Sequence, residues 1–254
     1  MPLPCFCNEG NNHYNALQTK AEKRFSHGVS VLGHYTFSHA KNNDGPYFLW
    51  DHNLFYGRPD WQRNHTIVAV TIYELPFGRG KQFLHDISKP VDYLVGGWQL
   101  SNATTWMSGQ GFNVSYFNCG ADNDVGVCLP NIVGSTTPSH RSIHEWYIPA
   151  GNVLAANGDV SGPWGRPQPA TFGNAGRNPL IGPRWFDSDL SVFKNIPIRE
   201  QVHAQFRAEI YNVFNHANLG NPSGCVDCGS GGQIQNLAPN ATMRRMQFAL
   251  RVEF

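Results

Sequence analysis

The sequence has little charge and no long apolar run. Charged residues make up 15 % of its 254 residues, against about 25 % in an ordinary soluble domain. The longest apolar run lies near Ile67–Ile72, far short of the roughly 20 residues that a membrane-spanning helix needs. A transmembrane β-barrel is not excluded, because its strands alternate polar and apolar residues. The net charge of +1 gives no sign of a basic surface that would bind nucleic acid.

The chain is rich in turn-forming residues and in aromatic ones. It contains 26 glycines and 17 prolines, and 13 % of its residues are aromatic. This composition predicts many short extended segments with enough apolar surface to fold. The first residues, Met1 to Gly10, contain neither the basic nor the apolar segment of a signal peptide. We therefore expect either a cytoplasmic protein or the C-terminal part of a longer one.

Six cysteines favour the second expectation. They form three close pairs, which are Cys5 with Cys7, Cys119 with Cys128, and Cys225 with Cys228. Even numbers with short spacings are typical of loop disulfides in an oxidising compartment. Cys225 and Cys228 could also be half of a zinc site, but a second well-spaced pair is missing. We predict disulfides for Cys119, Cys128, Cys225 and Cys228 and no metal or cofactor. The connectivity stays open, with local pairing the simplest.

The period-two alternation of β-strands is clearest near the end of the sequence. Between 243 and 254 one parity is apolar, with Met246, Phe248, Leu250, Val252 and Phe254. Between 201 and 212 one parity is again apolar, and the other carries His203, Gln205, Arg207 and Glu209. Four such side chains on one strand face are too polar for a dry core. Each segment therefore predicts a strand with one apolar and one wet side.

Five further segments predict strands by weaker alternation. All seven predicted strands lie near 12–24, 29–39, 65–74, 95–107, 185–194, 201–212 and 243–254. In the segment 65–74, Val68, Val70 and Ile72 share one side, whereas Ile67 and Ala69 blur the other. The connections are alternately short and long, as in a barrel with turns at one end and loops at the other. Because bacterial barrels normally close with an even number of strands, seven strands predict an incomplete barrel.

Five stretches resemble the C-terminal part of TonB-dependent outer-membrane receptors, specifically the Oar-like group. They are Tyr73–Lys81 (YELPFGRGK), Gly96–Leu100 (GGWQL), Ser108–Gln110 (SGQ), Phe206–His216 (FRAEIYNVFNH) and Arg244–Phe254 (RRMQFALRVEF). The resemblance runs through most of 12–254, with the long loops unmatched. It implies an all-β fold, an antiparallel transmembrane β-barrel segment with long extracellular loops. The group also has a plug domain and a TonB box, absent here, so the resemblance implies that residues 1–254 are a C-terminal barrel portion.

The resemblance also implies roles for the two strand faces. The polar parity would face the barrel lumen, with Asp187, Asp189, His203, Gln205, Arg207 and Glu209 as candidates. The apolar parity would face outer-membrane lipid, with interfacial aromatic girdles formed by Tyr73, Phe77, Trp98, Tyr211 and Phe254. The residues Met246, Phe248, Leu250, Val252 and Phe254 look like the signal that the barrel-assembly machinery reads. Uptake of a scarce solute, for example a siderophore or a carbohydrate, would involve TonB only through the plug.

Two other classes of protein remain open from the sequence. A secreted β-sandwich that binds carbohydrate would show the same alternation, with its apolar parity turned inward. A glycan-active enzyme could use Asp187 and Asp189, which lie two apart on one strand face, but no acid pocket is evident. We therefore predict transport rather than catalysis, with no catalytic or metal-binding residue.

Overall fold

Antiparallel strands are the main secondary structure of the protein, and seven of them are long. The computed structural model describes residues 10–43, 54–117, 128–151, 154, 158–169, 171–199 and 202–254. The strands of these residues are β1 (Asn12–Ser26), β2 (Val29–Asn42), β3 (His65–Glu74), β4 (Trp98–Met107), β5 (Gly111–Phe112), β6 (Asn131–Ile132), β7 (Val160–Ser161), β8 (Trp164–Gly165), β9 (Leu180–Ile181), β10 (Trp185–Arg199), β11 (Val202–Tyr211) and β12 (Arg245–Glu253). The all-β, antiparallel fold predicted from the sequence is confirmed.

The long strands form one sheet in the order β1-β2-β3-β4-β10-β11-β12. The two-residue strands form two small sheets, β5-β9 and β6-β8-β7, within the connection from β4 to β10. A helix, α1 (Lys89–Val95), lies between β3 and β4 and has a proline in its first turn. In the described part of the chain, no helix has the length and apolar character needed to cross a membrane.

Short and long connections lie at opposite ends of the sheet, except that the connection 75–97, which includes α1, lies at the same end as the short turns. At one end, here called the short-turn end, β1 and β2 are joined by His27 and Gly28, with φ angles of 52° and 77°. Two positive φ angles are typical of the tight hairpin turns whose twist matches that of the strands. At the other end, here called the loop end, run the three long connections 43–64, 108–184 and 212–244. This order reproduces the alternation read from the sequence.

One face of the sheet, here called the apolar face, carries most of the apolar parity. The pairing register forms rows across it, one with Tyr35, Ile67, Trp106 and Phe186 and one with Val29, Tyr73, Leu100, Val192, Ala208 and Phe248. Tyr73 and Trp98 lie on this face at the short-turn end, as the predicted girdle requires. The other face, here called the polar face, carries the opposite parity.

Polar groups on the apolar face are satisfied by one another or reach its rim. Asn102 Nδ2 donates to Ser188 Oγ at 2.9 Å, and Thr104 Oγ1 donates to Asn102 Oδ1 at 2.8 Å. Lys194 Nζ hydrogen-bonds the backbone carbonyl of Gly96 and lies 5.1 Å from the centroid of the Trp98 ring. A long side chain that carries its charge to the end of a sheet keeps that charge out of the apolar layer.

The long connections pack on each other at the loop end. Their core includes Phe112, Tyr147, Trp164 and Val226, all of them buried. The Tyr147 hydroxyl donates to the Ser223 carbonyl at 2.7 Å, and burial raises the pKa of this hydroxyl. Two connections far apart in the sequence therefore form one packed layer over this end of the sheet.

The seven-stranded sheet is not closed. Both outer strands, β1 and β12, are exposed along their whole length. Because seven strands alternate in direction, β1 and β12 run the same way, from the loop end to the short-turn end. An all-antiparallel closure therefore needs an odd number of additional strands. In the described residues no second large sheet packs on the apolar face, which contradicts the β-sandwich alternative.

Candidate functional site

The six predicted lumen-facing residues lie together on the polar face. They are Asp187 and Asp189 on β10, and His203, Gln205, Arg207 and Glu209 on β11. The pairing register spreads them along this face: Asp187 and Asp189 lie towards the loop end, Glu209 lies opposite Ser191, and His203 lies opposite Pro197 at the short-turn end. This charged and amide-bearing part of the polar face, on β10, β11 and β12, is here called the charged half.

Arg207 lies at the centre of a hydrogen-bonded ladder along β11. Its Nη1 donates to Glu209 Oε1 at 3.4 Å, and its Nη2 donates to Gln205 Oε1 at 3.3 Å. The guanidinium also lies 4.9 Å from the centroid of the Phe193 ring on β10. Charged side chains held by one another and by an aromatic ring are ordered, yet they remain partly exposed for contact with solute or protein.

Tyr211 belongs to this ladder, so its prediction as an interfacial girdle residue is wrong. Its hydroxyl donates to Glu209 Oε2 at 3.0 Å, and the Arg245 guanidinium lies 5.7 Å from its ring centroid. Position near a strand end was the signal used for the girdle. Tyr211 has the same parity as Glu209, so its side chain lies on the polar face and not on the apolar face.

Asp189 connects the charged half to the loop end. Its Oδ1 accepts the Asn212 backbone N–H at 2.8 Å, at the point where β11 ends. Asn212 has a φ of 49°, a conformation that asparagine adopts more readily than most residues. The Asn212 side chain in turn donates to the backbone carbonyls of His216 and Thr242 at 2.9 Å and 2.8 Å. Strand, turn and returning loop are thus joined by two side chains.

A strip of the polar face is apolar, which the sequence did not predict. Leu32, Val70 and Ala103 form a row across β2, β3 and β4 on this face. Val68 and Ile72 flank that row on β3. We call these five residues the apolar strip; the polar-face residues on either side of Val68 and Ile72 are polar, and they are His34, Thr105, Ser30 and Ser101. The blurred alternation of β3 hid it, because both parities of that strand are apolar.

A cluster of polar side chains joins two long connections at the loop end. The Asp60 carboxylate accepts a hydrogen bond from Asn178 Nδ2 at 2.6 Å and forms an ion pair with Arg177 Nη2 at 3.0 Å. Arg177 also donates to Asn42 Oδ1 at 2.8 Å, and Asn178 Nδ2 to the Arg58 carbonyl at 2.7 Å. Sequence reasoning missed this cluster because its members lie more than a hundred residues apart and form no local motif.

We expect this cluster to weaken in acid. The Asn178 hydrogen bond and the Arg177 guanidinium hold the pKa of the Asp60 carboxyl below its usual range, although burial acts in the opposite direction. A lowered folded-state pKa stabilises the fold above the ordinary carboxyl pKa, and this contribution is lost as the pH falls through the folded value. The hydrogen-exchange protection factors of residues 54–64 and 171–182 should therefore fall below about pH 4.

Asp60→Asn is the matched variant for this prediction. It should lower the protection factors at neutral pH to the acid level of the parent and abolish the pH dependence that Asp60 causes. The Asp60 side chain is 67 % exposed, so the expected loss is below about 1 kcal/mol. A variant that keeps the full acid-dependent loss of protection would contradict the role of Asp60.

The cysteines lie on the loop-end side where the structure describes them. A disulfide joins Cys225 to Cys228, and Cys128 is also disulfide-bonded. Cys119, like Cys5 and Cys7, lies outside the described residues. Cys225, Asp227 and Cys228 bring their ligand atoms within 4.8 Å of one another, but the sulfurs are already bonded to each other, and a disulfide offers no thiolate to a metal.

The predicted assembly-signal residues lie on the outer strand β12 and just beyond it. Met246, Phe248, Leu250 and Val252 lie on the apolar face opposite Ile210, Ala208, Phe206 and Ala204. The Phe206 and Phe248 rings stack with centroids 6.2 Å apart. Phe254 follows the strand and is 98 % exposed. Strand β12 therefore presents an apolar side and an unpaired edge together.

Comparison with known proteins identifies the family. A family model described as an outer membrane beta barrel domain matches residues 3–247. No curated protein matches the chain. The match extends over nearly the whole sequence and agrees with a sheet that is apolar on one side. The chain belongs to the outer membrane beta barrel domain family and is a protein of the outer membrane.

Proposed function

We propose that this chain forms part of the barrel of a TonB-dependent receptor that takes up a scarce solute, such as a siderophore or a carbohydrate. The observation that carries the proposal is the apolar strip on the polar face. A simple water-filled pore would favour polar side chains around its whole wall. Here Leu32, Val70 and Ala103 form an apolar row flanked by Val68 and Ile72, and contact with folded protein would cover it, because exposed apolar area is costly in water. A plug domain inside the barrel would supply that contact.

The two regions of the polar face would then have different roles. The apolar strip would contact the plug, and the charged half around Arg207 and Glu209 would line the path of the solute. The packed long connections would form the outer vestibule. Energy would enter through contact between TonB and the plug, so the strands need no catalytic group, and we propose transport rather than catalysis.

Strand β12 would be the contact for the barrel-assembly machinery. It combines an unpaired edge, which can be extended by another strand, with the apolar series Met246, Phe248, Leu250 and Val252 on one side. The same series would face outer-membrane lipid once the barrel is closed. Assembly and lipid contact would thus use the same side chains at different times.

Site-specific photocross-linking in intact cells tests the plug. A photoreactive phenylalanine analogue at Val70, in the apolar strip, should cross-link to a protein segment that mass spectrometry can identify. The matched control is Ala69, the next residue on β3, whose side chain is on the apolar face. It should cross-link to lipid alone. Lipid adducts at both positions, or protein adducts at neither, would contradict a plug.

Uptake measurements test the energy coupling. Labelled ferric citrate and labelled maltotriose would be offered to cells that contain or lack the protein, each with and without TonB. We expect accumulation of at least one of these solutes to require both proteins. Accumulation that needs the barrel but not TonB would instead identify a passive pore.

A further inference from the structure

The three long connections meet at a small pocket at the loop end. The pocket has a volume of about 150 Å³, and its polar lining residues are Arg63, Gln110, Arg184, Trp185 and Asn221. Arg63 comes from the connection 43–64, Gln110 and Arg184 from 108–184, and Asn221 from 212–244. Sites for drug-sized ligands occupy roughly 300–1,000 Å³. This pocket therefore suits one chemical group of a solute rather than a whole solute.

The lining of the pocket is cationic and has no acid. Arg63 and Arg184 contribute two guanidinium groups, and no aspartate or glutamate lines the pocket. Among the described residues, neither arginine has a carboxylate partner within ion-pair distance. Arg177 provides the contrast, because it is buried and paired with Asp60. Two uncompensated cations at one pocket attract an anion.

Arg63 is the fixed member of this pair. Its Nη1 donates to the Ser108 carbonyl at 2.7 Å, and its Nη2 donates to Gln110 Oε1 at 3.5 Å. Burial lowers the pKa of this guanidinium, which reflects the cost of a half-buried charge without a counter-ion. A guanidinium has five N–H donors in a planar fork that matches the oxygens of carboxylate and phosphate. The two bonds to Ser108 and Gln110 leave donors free for such a ligand.

The pocket adjoins the loop end of the polar face. Trp185 lines the pocket and is the first residue of β10. It has the same parity as Asp187 and Asp189, so it lies on the polar face. A group held at Arg63 and Arg184 would therefore lie at the loop-end entrance to the polar face. This position favours a solute on its way to the strands over a lipid on the apolar face.

We propose that this pocket binds an oxyanion, a carboxylate or phosphate group, of the solute that the receptor captures. The inference deepens the proposed uptake function and rests on it for the biological role of the site. The binding step itself depends only on Arg63, Arg184 and the pocket between them. It assigns to the solute a chemical class, an anion with an exposed oxyanion group.

Equilibrium dialysis of the full-length protein in detergent tests the proposal. The probes are labelled inorganic phosphate and labelled citrate, in separate arms that distinguish the two oxyanions. We expect at least one to bind at a single site, and Arg184→Gln to weaken it about tenfold or more. Arg184 is exposed and has no hydrogen bond to other described residues, so this variant should fold normally. Arg63→Gln should have at least as large an effect.

Arg244→Gln is the matched control. Arg244 is an exposed arginine at the same end of the sheet, outside the pocket, and its replacement should leave the affinity unchanged. Absence of binding by both anions, or an equal loss in the Arg244 and Arg184 variants, would overturn the proposal. Dialysis needs neither TonB nor an energised membrane, so its failure is distinguishable from a failure of the uptake experiment.

Discussion

Leu250→Arg should destabilise the membrane-inserted sheet by about 2–4 kcal/mol. Leu250 lies near the middle of β12 on the apolar face, opposite Phe206, and is 71 % exposed. A side chain in this position contacts lipid in an outer-membrane barrel, and a guanidinium near the centre of the lipid layer loses its hydration. The free energy of unfolding in urea, measured for the protein in lipid vesicles, checks this expectation.

Gln247→Arg is the control for this prediction. Gln247 is three residues away on the same strand, but it lies on the polar face opposite Glu209. An added cation there meets a carboxylate and should change the free energy of unfolding by less than about 1 kcal/mol. Equal losses in the two variants would mean that the apolar face of β12 does not contact lipid.

Gly97→Ala should cost about 2–5 kcal/mol of unfolding free energy. Gly97 has a φ of 69°, and a side chain in this conformation costs about 1–2 kcal/mol. A Cβ at this position would also lie 2.3 Å from the backbone carbonyl oxygen of Asn195. Since Asn195 donates its N–H to the Gly97 carbonyl at 2.9 Å, neither backbone can move away freely, and the crowding adds about 1–3 kcal/mol.

Gly80→Ala separates these two causes. Gly80 has nearly the same φ, 70°, but no heavy atom lies within 4 Å of an added Cβ. Its replacement should therefore cost only the conformational part, about 1–2 kcal/mol. Unfolding of the two variants in urea, side by side, gives the comparison. A Gly97 variant no less stable than the Gly80 variant would exclude the close approach of β4 and β10 as the reason for this glycine.

Several features could be read from the sequence because they depend on local chemistry. Strict alternation over 201–212 and 243–254 predicted two strands and the face of each side chain, since successive residues of a strand point to opposite sides. The unequal connections predicted which ends of the strands meet. The six charged and amide residues on β10 and β11 were also predicted to share one face, and the structure places them there.

Other features depended on register, which no single segment contains. Val68, Val70 and Ile72 lie on the polar face because β3 pairs with β2 and β4 in a register that places Val70 between Leu32 and Ala103. Both parities of β3 are apolar, so its own pattern left its faces undecided. The apolar strip of the polar face, on which the plug proposal depends, is therefore a product of pairing.

The sequence by itself determined that this protein is built from amphipathic strands joined by alternately short and long connections, because period-two patterning and turn-forming residues act locally. Only the tertiary structure decided what the long connections do. Asp60 meets Arg177 and Asn178, and Arg63 meets Arg184 at one pocket, across more than a hundred residues each. Such contacts depend on where the strand ends bring the loops together in space. The spacing of these residues along the chain therefore does not predict them.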